Sequence, residues 1–184
     1  AISLSQEKYV KSILERFGMT NCNPVDTPGI WRKLIAKPKE NENRGDQQIK
    51  KYQALIGSLI FLIMNTRFSI IFAVIQAARF MSRPTSAHMT AAKRILGYLR
   101  VAPDVRTTYK REENKELLGY CNSSYTTGDP ERARSTSGTM FFLSVELIHF
   151  LSQLQKVVAQ STTEAELKAL NSCAKSGIYR LGVL

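Results

Sequence analysis

The stretch Gln160–Ala174, QSTTEAELKALNSCA, sets the reading of the chain, because it joins a helix start to two acidic side chains in different environments. Ser161 and Glu164 fit the capping-box pattern, in which a hydroxyl and a carboxylate each accept from a backbone N–H left orphaned at a helix N-terminus. At about 3.6 residues per turn, Glu166 shares a side with Leu170, Cys173, Ala174 and Gly177, while Glu164 points nearly the opposite way. Glu164 therefore reads as the cap and Glu166 as an inward carboxylate. A carboxylate on an apolar face is costly to bury unless it is protonated, paired or metal-bound, which makes Glu166 a candidate site residue. One alternative stays open: Thr163 and Glu166 also satisfy the capping box if the helix starts further along.

Upstream of this helix the texture is that of strands. The runs VRTTYK, ELLGYCNSSY, TSGTMFFLSV and LIHFLSQLQKVVAQS are rich in β-branched and aromatic residues. TTGDPERAR carries turn chemistry between the second and third of them, and Ser137-Gly138 marks a bend or bulge. Before Pro103 the pattern is helical. Ser5 precedes the stripe Tyr9, Val10, Ile13, Leu14 and Phe17, stopped by Gly18. A loop or linker rich in Asn, Pro, Lys and Gly covers 20–46, with Trp31 available to pin it to a neighbouring surface. Helices are expected over Gln48–Met64, Ser69–Met81 and Ser86–Arg100. The last places Met89, Ala92, Ile95, Leu96 and Leu99 inward and extends Lys93, Arg94 and Arg100 towards solvent, where they could lie along phosphates or form an ordinary solvated cationic face.

The chain has 184 residues with 43% hydrophobic content, enough for a real core and inconsistent with disorder. Its 26 Lys and Arg against 15 Asp and Glu give +11, which favours polyanionic partners, nucleic acid before membrane. Cys22, Cys121 and Cys173 are odd in number and lack paired spacing, so neither a disulfide framework nor a zinc site is suggested. A reducing intracellular compartment, cytoplasm or nucleus, fits best. The chain begins at Ala1 without methionine or an apolar leader and reads as a fragment. The apolar run Ala54–Met64 is about half the ~20 residues that span a bilayer, and no membrane partner is expected. His88 reads as a capping or packing residue at a helix start, and no Ser-His-Asp, Cys-His or glycine-rich phosphate arrangement is readable.

Taken in order, ISLSQEKYVKSILERFGM with the following N-C-PV-TP, Tyr52 with LIGSLIFL, Thr66-Arg67, FAV, RFM-RPT-H--AAKRIL-YL, LLGY, R-STSGTMFFL and VVAQSTTEAE resemble the Pol polyprotein of copia-type LTR retrotransposons. No single motif is diagnostic; their shared order and spacing along nearly the whole chain is. The resemblance implies an α+β chain. Residues 1–110 correspond to the C-terminal end of reverse transcriptase, a helical thumb or connection region. Residues 111–184 correspond to the beginning of an RNase H-like domain, three antiparallel strands followed by a helix. It implies an RNA/DNA hybrid as partner and Mg²⁺ or Mn²⁺ as the family cofactor.

RNase H chemistry needs several carboxylates clustered around two divalent ions about 4 Å apart. By the family pattern Glu166 matches the metal-binding glutamate of the first helix. The first-strand aspartate, two residues after Gly119-Tyr120, is Asn122 here, the next acidic position is Ser124, and the family tryptophan is Tyr125. An amide replaces charge with a neutral oxygen, and hard cations prefer carboxylates. The remaining family aspartates fall beyond Leu184, and the polymerase YXDD motif is absent. TRPDI reads TRFSI, ISW-SKKQ reads IHFLSQLQ and AEY reads AEL. The expectation is a catalytically inert remnant without a functional metal site. Lys93, Arg94, Arg100, Arg132 and Arg134 are the candidate nucleic-acid contacts, and an uncovered sheet edge permits self-association. A nuclease completed by another chain, and a co-opted interaction module or functionless pseudogene product, are the alternatives.

Overall fold

The computed structural model describes residues 1–29, 45–110, 116–125 and 134–182. Trp31, the 30–44 part of the expected linker and the turn segment 126–133, with Arg132, lie outside the described residues. The chain divides into two compact units, Ser3–Thr107 and Thr108–Leu184, the latter joined by Ala1–Ile2.

The Ser3–Thr107 unit is mainly helical: α1 (Glu7–Arg16), α2 (Asp46–Ile63), a 3-10 turn at Phe68–Ile70, α3 (Ile71–Ala78) and α4 (Ser86–Val101). α1 buries Val10, Ile13 and Leu14, as its stripe dictates. Gly18 follows at φ +66°, the left-handed conformation that ends a helix at least cost for glycine. α2 buries Tyr52, Leu55, Ile56, Leu59, Leu62 and Ile63. The Tyr52 hydroxyl donates to the Ala77 carbonyl at 2.8 Å, tying α2 to α3, and burial pushes the phenol well above its ordinary range. α3 stops at Ala78 rather than Met81, because Phe80 and Met81 bond back three residues in a tighter turn.

Two polar features close this unit. Arg67 is 4% exposed, and its guanidinium donates to the Ala102 carbonyl at 2.8 Å and to that of Pro103, satisfying acceptors at the end of α4. Residues 20–29 are not a free linker. They lie against α4, where Gly97 leaves room for them: a Cβ at Gly97 would meet the Asn23 carbonyl at 3.2 Å and Val25 at 3.3 Å.

In the other unit β3 (Leu117–Ser124), β4 (Thr136–Leu143) and β5 (Glu146–Leu154) form an antiparallel sheet in the order β3-β4-β5, and α5 (Thr162–Leu181) packs on β3 and β4. The bulge falls between Phe141 and Phe142, not at Ser137-Gly138. β5 ends at Leu154, so KVVAQS is a connection rather than strand. The β4–β5 turn holds Ser144 at φ 57°, a position that favours glycine. VRTTYK supplies β2 (Arg106–Tyr109), whose partner is a strand not foreseen, β1 (Ile2–Ser5). Its alternation of Ile, Ser, Leu and Ser is the period-two signal that the stronger helical stripe beside it masked.

The core beneath the sheet is small. Phe141 is its one large buried hydrophobic side chain among the described residues, and Ala159, Ala165, Ala169 and Cys173 are the small ones buried in the same unit. The ring occupies space left by two glycines: a Cβ on Gly119 would lie 2.9 Å from it, and one on Gly177 3.3 Å. The Arg180 guanidinium sits 5.2 Å over the same ring. The chain is thus α+β, with three antiparallel strands followed by a helix.

Candidate functional site

α5 starts as its sequence dictates. The Ser161 hydroxyl accepts from the Glu164 amide at 3.1 Å. The Glu164 carboxylate accepts from the Gln160 amide at 2.6 Å, one residue upstream of the position the capping box specifies. It also pairs with Lys168 at 2.6 Å. The hydrogen bond from Lys168, and then that from the Gln160 amide, hold the Glu164 carboxyl below its ordinary value.

Glu166 is exposed, at the edge of the docking face: α5 docks through Ala165, Ala169 and Cys173, and Glu166 stands about 20° round the helix from Cys173 and about 60° from Ala169. Its side of the helix is as read, but the carboxylate is not buried there, and Leu170 is 54% exposed beside it. The reason is steric. With Phe141 filling the interface, α5 approaches the sheet through its smallest residues, and its leucines turn outward.

Glu166 nevertheless meets the first strand of the sheet. Its carboxylate accepts from the Ser123 amide of β3 at 3.0 Å. Strand alternation places Gly119, Cys121 and Ser123 towards α5, and Asn122, which is exposed, on the opposite side with Tyr120. Glu166 is therefore held by the backbone next to Asn122. Ser124 is half-buried and Tyr125 exposed.

Behind this contact lies a buried polar cluster that sequence reading missed. Gln155 is 7% exposed; its side-chain amide nitrogen sits 3.1 Å from the Ser123 hydroxyl, 2.8 Å from that of Ser137 and 2.9 Å from the Ala165 carbonyl. It joins β3, β4 and the start of α5 without any charge. The Gln155 side-chain oxygen and the hydroxyls of Ser135 and Thr139 are buried without a hydrogen-bond partner among the described residues. The signal available in the sequence was a glutamine directly after an apolar strand, short of the helix cap.

A pair of divalent ions asks for several convergent carboxylates. Here Glu166 is engaged by an amide, its β3 neighbours are amide and hydroxyl, and among the described residues no three His, Cys, Asp or Glu are grouped to hold an ion. The described residues by themselves do not fit such a centre.

The basic residues are also placed differently from the expectation. Arg94 donates to the Thr27 hydroxyl at 2.9 Å, and Arg100 donates to the Cys22 carbonyl. Both fasten the 20–29 segment to α4 rather than extending freely. Lys93 is half-buried, and Arg134 donates to the Lys156 carbonyl at 3.3 Å. His88 is fully buried and completes a capping box with Thr85: its Nδ1 accepts from the Thr85 amide at 2.8 Å, and its ring stacks on Phe80 at 4.0 Å. Among the described residues no helix is long and apolar enough to cross a membrane.

With this geometry in hand, similarity to known proteins supplies the class. The chain is 36% identical over 179 residues to the retrovirus-related Pol polyprotein from transposon TNT 1-94 of Nicotiana tabacum, covering 96% of this chain and 13% of that protein. It is 33% identical over 171 residues to the corresponding polyprotein from transposon RE1 of Arabidopsis thaliana, covering 92% of this chain and 11% of the relative. It is also 32% identical over 128 residues to secreted RxLR effector protein 161 of Plasmopara viticola, covering 70% of this chain and 89% of that protein. No protein-family model and no solved structure matches. Over more than nine tenths of its length the chain is thus similar to retrovirus-related Pol polyproteins from transposons, and it spans about one eighth of the length of the Pol relatives named here.

Proposed function

We propose that the chain is the segment of a copia-type Pol polyprotein that joins the C-terminal end of reverse transcriptase to the beginning of the RNase H domain. In this reading it is catalytically inert on its own and binds RNA/DNA hybrids without sequence preference. The observation that carries the proposal is the Glu166 contact with the Ser123 amide, beside Asn122. By the family resemblance the first strand and following helix each bring a metal-binding carboxylate; here the helix keeps one, held by the strand's backbone, while the strand has Asn122 in place of its carboxylate, exposed on the face away from α5. The net charge of +11 supports phosphate binding. Because Arg94 and Arg100 serve the fold, the contacts fall to exposed residues such as Lys8, Lys50, Lys51, Arg83 and Lys175.

Filter binding to an RNA/DNA hybrid at about 50 mM and about 200 mM salt tests the binding half. Affinity falls steeply with salt if phosphate contacts carry it. Affinity that ignores salt contradicts the proposal.

A second reading has an observation of its own. The exposed Glu166 carboxylate is open to solvent, so acidic residues from another chain could complete a metal-dependent nuclease around it. Hybrid cleavage in Mn²⁺ separates that reading from the first. A third reading, an interaction module, is favoured by the relative named as an effector, of which the chain covers 89%, and by the exposure of Leu167, Leu170, Ile178 and Tyr179 on α5.

A further inference from the structure

The fold brings together two of the three cysteines that are scattered in the sequence. Cys173, buried on α5, has its Sγ 3.9 Å from the Tyr120 carbonyl and 3.5 Å from the Cβ position of Gly119 on β3. Cys121 follows on the same strand, and the two-residue period aims it, like Gly119, at α5. The Cys173 sulfur thus lies against the face of β3 that carries Cys121, and both thiols are free. Burial raises the Cys173 thiol above its ordinary value, so Cys121, the more accessible of the two, is the one that reacts first with a reagent from solvent.

We propose that Cys121 and Cys173 are a redox-closable pair, forming an intramolecular disulfide that clasps α5 to β3 when the chain meets a small-molecule disulfide such as oxidised glutathione. The exchange balances in two steps. The Cys121 thiolate attacks one sulfur of glutathione disulfide, forming a mixed disulfide and releasing one glutathione thiolate. The Cys173 thiolate then attacks the Cys121 sulfur and releases the second. Two protein thiols are oxidised, one glutathione disulfide is reduced to two glutathiones, and the two thiol protons end on them. The site lies on the same strand and helix as the Glu166–Ser123 contact, yet it needs no metal, nuclease activity or nucleic acid.

Cys22 is an internal control, since it is free and part-exposed in the other unit. The reduced full-length chain is equilibrated with oxidised and reduced glutathione over a range of ratios, alkylated in denaturant and mapped by peptide mass spectrometry. The expected product is a linked Cys121–Cys173 peptide pair, two alkylatable thiols lost together, and Cys22 still alkylated. In Cys173→Ser, with no resolving thiol, Cys121 retains the glutathione adduct. The wild-type clasp raises Tm by about 5 °C or more, because it closes a long loop in the unfolded chain. A stable glutathione adduct on Cys121 in the wild-type chain, disulfides between chains, or three thiols alkylated at every ratio would overturn the assignment.

Discussion

Gly119 shows how close a sequence motif can come to its physical reason. The LLGY run signals a strand, but its glycine is explained only when the Phe141 ring is found where a Cβ would stand, at 2.9 Å. Gly119→Ala is therefore expected to cost about 1–3 kcal/mol in urea unfolding through overpacking; an unchanged midpoint would show that the ring moves aside freely. Gln155 carries a related lesson. Replacing it with Leu strands the hydroxyls of Ser123 and Ser137 and is expected to destabilise by about 1–3 kcal/mol. Its role could not be read beforehand, since three partners distant in sequence define it. Glu166 was legible as a residue apart from its cap and on the side of Cys173, but its exposure was not, because helical periodicity does not say how deeply the edge of a face is covered.

At the scale of elements, the helices with strong apolar stripes and the three sheet strands could be read directly from their periods. The elements that escaped were those decided by contacts far along the chain. β1 needs β2 more than a hundred residues away to be a strand. The leucines of α5 turned outward because the small residues fit against Phe141. The cap of α5 was readable to within one residue, and it makes a pH prediction. The Glu164 carboxyl is held below its ordinary value of 4.5, so its contribution to stability is present above that value and lost as pH falls through the depressed one. Glu164→Gln should accordingly lose less Tm than wild type between about pH 5 and about pH 3; equal losses would mean that the cap contributes nothing. In the β4–β5 turn, Ser144→Gly is expected to stabilise by up to about 1 kcal/mol, read as a higher denaturation midpoint, since Ser144 sits at φ 57°.

At the scale of the whole molecule, composition gave the polyanion-binding expectation, whereas the placement of individual arginines did not follow from it. Arg94 and Arg100 look like solvent-facing cations on a helical projection, yet they hold the 20–29 segment. If they act structurally, Arg94→Ala lowers thermal stability while hybrid affinity changes little; a loss of affinity at unchanged Tm would return Arg94 to the binding surface. From the exposed Leu167, Leu170, Ile178 and Tyr179 of α5 we predict self-association, to be read by size-exclusion chromatography with light scattering. A stable monomer at high concentration would count against it.

In the proposed reading, Glu166 without a strand carboxylate opposite it leaves the chain with no nuclease chemistry of its own. The direct measurement is cleavage of a labelled RNA/DNA hybrid by the purified chain at high concentration in Mn²⁺, beside Glu166→Gln. No cleavage above the metal-only background in either protein is predicted. Mn²⁺-dependent cleavage by the wild-type chain that disappears in Glu166→Gln would contradict it.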